Sequence, residues 1–488
     1  MRILLLLWVA QSLICAQTVS ERISSLLDEA AAARHGFWGI SAVDLKSGET
    51  RFGRFQDRVF VPASVAKLFS TALGLQRLGP DHRFTTTVAA AAPPDASGRL
   101  AGNLYLVGGG DPTISSRPYP HGSGSSSGNP LRAIEDLADQ VVARGVRRIA
   151  GDVVGDDTAY PWEPYPDGRM QEDALWGFGA PVSALSVSEN RLTLTFAPGR
   201  RAGDQARLRL TPPLDYFVID NRVRTSAGGP ARIDFERLPG SRQLRVWGSL
   251  PLGSSPSSRL LALDDPAQFA AAALLDALTR RGVAVEGRAV ARHRFLNEDA
   301  GVTAAGVELA RRESPPLSQI LEVTSKESLN LSAELVLREV GRVRRDAGTR
   351  QAGMAELAAL AKEVGIPEEE CALVDASGLS TLDAVSPRAV TSLLVRMYAS
   401  PDRQTWLGML PVGGKEGTLR NRFTELPPAS VRAKTGTMSR VSALAGYLET
   451  SSGETLAFAI LVNNYTAPAR EIRSLIDRIV MLLVQQGS

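Results

Sequence analysis

The 488-residue chain reads as an α+β protein in which an antiparallel sheet, drawn from strands near both chain ends and flanked by helices, is interrupted by a large β-rich insertion. Three observations predict this. Strand patterns at residues 39–55 and 431–463 frame the chain, and helical periodicity follows Pro62 and returns after Asp265. Between about residues 84 and 257 the texture changes to short alternating stretches rich in glycine and proline. The expected organisation is a discontinuous domain of residues 17–83 and 258–488, with residues 84–257 inserted as one or more β-rich accessory units.

The elements follow in order. Arg2 precedes an apolar run from Ile3 to Ala10 and a short tail ending at Ala16, which reads as a cleavable secretory signal over residues 1–16 and places the mature chain outside the cytoplasm. A spanning helix needs about 20 apolar residues, so no stable membrane span is expected. Cys15 follows the bulky Ile14, where a lipid-attachment site wants a small residue. Cleavage after Ala16 leaves Cys371 as the sole cysteine, so no intramolecular disulfide is expected and the core must hold the fold. Residues 39–55 form a hairpin around Lys46-Ser47-Gly48-Glu49. Pro62 opens a helix that stops at Gly79-Pro80. Within the insertion, Arg207 to Leu210 and Gln243 to Val246 alternate as strands, and the Gly/Ser-rich stretch from Ser115 to Pro130 reads as a flexible surface loop. Residues 266–282 and 317–348 are helical. Val431 to Thr435, Ser442 to Glu449 and Leu456 to Asn463 are strands, and Ala469 to Gln485 is a closing amphipathic helix.

Composition narrows the function classes. With 44% hydrophobic and 22% charged residues the chain can bury a large core, in two or three domains rather than one. Its 55 basic and 52 acidic residues give a net charge of only +3, with no single-sign block that would form a nucleic-acid surface.

Ser64 and Lys67 lie three apart on the helix that follows Pro62, so both project from one face and can share a proton. A serine hydroxyl becomes a nucleophile once a base takes its proton, and a lysine held away from water can be that base. Taken alone, Ser-x-x-Lys is a common surface pattern. Lysine is scarce, however, with six against 49 arginines, and arginine cannot deprotonate at useful pH. Lys434-Thr435-Gly436-Thr437 uses another of the six: a cation and hydroxyls to meet a carboxylate, and a glycine that lets a peptide lie close to the strand. Seen alone this is equally a strand end leading into a turn. Ser328-Leu329-Asn330 carries little by itself, because residues two apart in a helix do not share a face; they converge only in a loop or where two helices meet.

The order Ser-x-x-Lys, Ser-x-Asn, Lys-Thr-Gly, ending on a C-terminal strand, is the signature of penicillin-recognising serine enzymes of the β-lactamase-like transpeptidase fold. The long gap between Lys67 and Ser328 makes the chain resemble the low-molecular-mass class C penicillin-binding proteins, the D-alanyl-D-alanine carboxypeptidase and endopeptidase group. Further matches are Gly108 to Thr113, Asp375 to Ser380, and Leu410-Pro411 leading to Gly417-Thr418-Leu419, so the resemblance covers nearly the whole mature chain. Leu329 and Ala376 depart from it, where a polar residue and a glycine are more usual, without removing a reactive group. For Asp375 to Ser380, a tight turn closing the back of the site and direct catalysis both stand open, and the turn is favoured more strongly for Gly108 to Thr113.

The resemblance implies that Ser64 attacks the carbonyl of the penultimate D-alanine of a peptidoglycan stem peptide while neutral Lys67 takes its proton. Ser328 passes a proton to the leaving amine, and Asn330 holds the acyl side of the substrate. Lys434, Thr435 and Thr437 hold the carboxylate, and the backbone N–H groups of Ser64 and Thr437 form the oxyanion hole. It also implies covalent inhibition by β-lactams, a periplasmic or wall-associated location, and no metal or cofactor. A Ser-His-Asp hydrolase does not fit, because His35, His82, His121 and His293 fall outside these motifs and no G-x-S-x-G elbow is present, the match from Gly124 to Gly128 lying in the Gly/Ser-rich stretch. A β-lactamase or esterase of the same fold needs a base for its deacylating water, and the sequence identifies none. A catalytically silent peptidoglycan-binding scaffold has no use for the intact reactive groups.

Overall fold

Residues 37–54 form the expected hairpin in the computed structural model, which describes residues 18–485 apart from 123–127, 239, 297 and 299–305. The expected signal at residues 1–16 lies outside the described residues. The strand Phe37–Asp44 does not sit at an edge. It enters the middle of a five-stranded antiparallel sheet whose order is Val431–Met438, Val441–Glu449, Thr455–Asn463, Phe37–Asp44, Thr50–Arg54. Its pairing with Thr455–Asn463 runs unbroken from Phe37 opposite Asn463 to Asp44 opposite Leu456.

Both faces of this sheet are covered, which is why its last strands read as nearly continuous apolar runs. Leu444, Phe458 and Ile460 point to the side closed by the helices Val19–Glu29 and Ala469–Val484. Ala443, Ala445, Ala457 and Ala459 point to the other, where small side chains let helices approach closely. That second face carries Lys67–Leu78, Leu317–Lys326, Asn330–Arg345 and Pro387–Tyr398, packed through Phe69, Leu321, Val336 and Leu394. Among the described residues no helix is long and apolar enough to cross a membrane.

The insertion is longer and more mixed than its texture suggests. Val307–Glu313 pairs antiparallel with Thr85–Ala90, at one edge of a mixed sheet that continues through Leu104–Val107, Val153–Asp156 and Ala289–Arg292. The helices Arg132–Ala143 and Pro266–Arg280 pack against it through Ile134, Leu137, Phe269 and Leu274. The inserted unit therefore runs to about Glu313 rather than ending at residue 257, and the helical texture returning after Asp265 belongs to it. Periodicity reports that a helix has an apolar face, not which core receives it. A second part is all-β, with two three-stranded sheets sharing a core of Phe196, Val223, Leu244 and Val246.

Candidate active site

Four chain segments converge where the helical layer meets the edge strand of the central sheet. The first is Ala63–Ala66, a 3-10 turn that runs straight into the Lys67–Leu78 helix. Ala63 holds a φ of 46°, a conformation that an L-residue adopts only under constraint, immediately before Ser64. Lys67 Nζ lies 2.8 Å from Ser64 Oγ, 2.7 Å from Asn330 Oδ1 and 2.5 Å from the Ser377 carbonyl oxygen. It is fully buried. That burial is the main reason its pKa falls to about 7, against the opposing pull of the Asp375 and Glu334 carboxylates.

These distances fix where the lone pair of a neutral Lys67 points. The Ser377 carbonyl can only accept, and Asn330 presents Oδ1 because its Nδ2 donates to the Phe178 carbonyl at 2.8 Å. Two N–H groups of the amine go to those two acceptors. The lone pair is left for the third neighbour, Ser64 Oγ, which has a proton to give.

The second segment is the break between the helices Leu317–Lys326 and Asn330–Arg345. Ser328 sits in the break with φ 58°, and this turn lets Ser328 and Asn330 face the same space despite being two apart. The third is the edge strand Val431–Met438. Lys434 Nζ donates to Ser328 Oγ and to the Thr435 carbonyl, both at 2.9 Å, and Thr435 Oγ1 meets Thr418 Oγ1 at 2.9 Å. Burial, with Lys67 nearby, holds the Lys434 pKa well below the usual lysine range. Ala433 N–H donates outward to Pro411 O at 3.0 Å. Strand alternation therefore turns the N–H groups of Thr435 and Thr437 to the same free edge. A Cβ on Gly436 would lie 2.6 Å from the Pro62 carbonyl oxygen, so only glycine lets this strand press against the turn that carries Ser64.

The fourth segment resolves what the sequence left open. Asp375 to Ser380 is a turn wound around the Asp375 carboxylate, which accepts from the N–H groups of Ser377, Gly378, Leu379 and Ser380 and from the Ser377 hydroxyl. It contributes to the site through the Ser377 carbonyl on Lys67. Burial opposes ionisation of Asp375, but the Arg169 guanidinium and the turn's N–H donors outweigh it and keep the carboxyl below its ordinary value. Asp383, buried beside it, is pushed well up. Arg169 arrives from the inserted unit, pairing with Glu334 at 3.0 Å and donating to Ser377 Oγ at 3.2 Å. Neither Arg169 nor Glu334 carried a sequence signal, since nothing local marks one arginine among 49. Thr418 was visible only within the Gly417-Thr418-Leu419 match. The Gly108 to Thr113 run is a turn tied by Asp111 to Thr113, with Pro112 beside Ser328 and Asn330 at a cleft of about 180 Å³.

Fold and site together define a serine acyl-transfer enzyme of the penicillin-binding kind. The chain belongs to the D-Ala-D-Ala carboxypeptidase 3 (S13) family, whose model matches residues 19–483. It is 34% identical over 467 residues to the D-alanyl-D-alanine carboxypeptidase of Actinomadura sp. (strain R39), spanning 92% of this chain and 81% of that protein. Identity to D-alanyl-D-alanine carboxypeptidase DacB of Haemophilus influenzae is 23% over 410 residues, covering 83% and 80% of the two chains. The fold is that of the crystal structure of penicillin binding protein 4 from Haemophilus influenzae, with a TM-score of 0.81 at 21% identity over 94% of this chain and 98% of that one. A second crystal structure of that protein, complexed with a novel β-lactam, has a TM-score of 0.75 at 21% identity over 95% and 98%.

Proposed function

We propose that this D-Ala-D-Ala carboxypeptidase acts on peptidoglycan stem peptides through an acyl-enzyme on Ser64, cleaving terminal D-alanine, cross-links or both, and that β-lactams trap it there. The observation that carries the reading is the buried Lys67 amine, 2.8 Å from Ser64 Oγ with its other polar neighbours both acceptors. Ser64 Oγ bonds to the carbonyl carbon of the penultimate D-alanine and its proton passes to Lys67 Nζ. The developing oxyanion is held by the N–H groups of Ser64 and Thr437, each such donor contributing about 3 kcal/mol. Ser328, bonded to Lys434, passes a proton to the departing amine as the amide C–N bond breaks, and the proton taken up by Lys67 replaces it. Water then releases the shortened peptide and returns the proton to Ser64.

Asn330 holds the acyl side, and Thr435 and Thr437 hold the terminal carboxylate. A carboxylate arriving there restores the charge on Lys434, because an opposite charge favours the protonated form. Gly436 keeps the strand close enough to Ser64 for one peptide to reach both. A substrate in the wall places the enzyme outside the cytoplasm, in the periplasm or against the wall, which agrees with the apolar N-terminal run.

Intact-mass spectrometry with benzylpenicillin tests the reading. Wild type is expected to gain the mass of the drug and Ser64→Ala to gain none. A folded wild type that gains none would overturn the proposal in favour of a silent wall-binding scaffold, and rapid loss of the adduct would instead mark a β-lactamase.

A further inference from the structure

The Val431–Met438 strand has a second cleft beside it that shares Thr435 and Thr437 with the carboxylate site and whose remaining wall these steps do not use. On the face turned away from Pro62 and Ala63, Thr435 and Thr437 join Thr418 in lining a cleft of about 660 Å³, bounded by the start of the Ala469–Val484 helix. That volume suits a ligand the size of a short peptide. The helix contributes Arg470 and Arg473, both exposed to the cleft and its solvent. Arg422 and Asp477 also lie here but are bonded to each other, Nε to Oδ1 at 3.0 Å, so their charges offset. Asp477 feels Arg473 and, from outside the cleft wall, Glu425 as well, and among the residues lining the cleft one carboxylate faces three guanidiniums.

A terminal D-alanine presents one carboxylate, and Lys434, Thr435 and Thr437 already meet it. The additional positive charge has no counterpart on such a substrate. A cross-linked peptide is different: its leaving group is a whole second stem, with further carboxylates beyond the one next to the scissile amine. These must extend past Thr435 and Thr437, the two residues shared by the catalytic edge and the cleft.

The geometry points to this cleft as a subsite for the carboxylate-bearing leaving stem of cross-linked peptides, with Arg470 and Arg473 as its cationic wall. This rests on the Ser64 acyl-enzyme reading and assigns the enzyme a means of favouring cross-links over free termini. The pair acts by binding and takes no part in bond making or breaking.

The test uses the mature enzyme and the double variant Arg470→Gln/Arg473→Gln, with three readouts: the benzylpenicillin adduct, D-alanine release from a stem pentapeptide, and cleavage of a cross-linked stem-peptide dimer. Adduct formation and D-alanine release are expected to stay within about twofold of wild type, while kcat/KM on the dimer falls roughly tenfold, mainly through KM, as two charge-assisted contacts are lost. Amidating the leaving stem's carboxylates should abolish that difference, and Arg470→Lys/Arg473→Lys should restore most of the dimer activity. Unchanged dimer cleavage, an equal fall in both activities, or a wild type that releases D-alanine but leaves dimers intact would each overturn the subsite. A wild type with no adduct overturns the Ser64 reading itself, and the subsite with it.

Discussion

Gly378 lies directly on Ala63: a Cβ placed at Gly378 would come within 1.8 Å of the Ala63 carbonyl oxygen. Both residues have left-handed φ, 74° and 46°, so the turn around Asp375 and the turn before Ser64 brace each other. The Lys67 amine is bonded across this contact, to Ser64 on one side and Ser377 on the other. Gly378→Ala must push the two turns apart. It is expected to cost at least about 2 kcal/mol of stability and to slow penicillin acylation by tenfold or more. Urea denaturation alongside stopped-flow acylation checks this, and acylation at the wild-type rate would refute the bracing role.

The pH dependence of acylation should report Lys67. In the proposed mechanism its neutral form is the base, so the second-order rate is expected to rise as pH increases through about 7 and then level off. Lys67→Arg keeps the charge but cannot give up its proton, and should lose at least about a thousandfold at every pH. Stability has its own signature. The folded pKa lies below the unfolded value of 10.5, so the unfolded chain binds more protons between about pH 7 and 10.5. The Lys67 penalty is thus complete below that window and absent above it, and stability rises with pH across it. Lys67→Met should flatten this rise in chemical denaturation.

Asp375 pulls the Lys67 pKa upward. Asp375→Asn removes that field, so the acid limb of the acylation profile should move to lower pH even as the turn loses some of its hold. A limb that moves to higher pH, in protein shown to be folded, would contradict this electrostatic arrangement.

Arg169 is the cation closest to two carboxylates with no exposed area, at 3.0 Å from Glu334 and 3.7 Å from Asp375. Arg169→Met leaves them buried without it and is expected to destabilise the protein by about 3–5 kcal/mol. Adding Glu334→Gln should recover part of the loss, a coupling that a double-mutant cycle in urea would measure.

The candidate site residues are legible because the chemistry proposed for them is tied to local spacing. Ser64 and Lys67 share a helical face, and Lys434 to Thr437 read as a strand. The condition attached to Ser328 and Asn330, that they converge only in a loop or where two helices meet, is met by the break at residues 327–329. What stayed hidden depends on contacts between distant segments. Arg169 reaches Ser377 across 208 positions, and the Ser377 carbonyl acts through its backbone, which no side-chain pattern reveals. The end of the insertion was misplaced for a related reason. Pro266–Arg280 carries an apolar face that either core could accept, and only the pairing of Val307–Glu313 with Thr85–Ala90 assigns it.

The pairing of Phe37–Asp44 with Thr455–Asn463 sets the order in which the molecule can be completed. As the chain emerges, the inserted unit has both of its flanking strands by about residue 313 and can close on itself. The strand Phe37–Asp44 has its hairpin partner at once but must wait for its other neighbour, Thr455–Asn463, more than 400 residues later, a closure of very high sequence separation. The edge strand bearing Lys434 arrives equally late. A chain ending at residue 430 should therefore contain a folded insertion, detectable by limited proteolysis, yet take up no penicillin. On the proposed mechanism, hydrolytic competence comes only with the final strands, so unfinished chains are expected not to cut the wall.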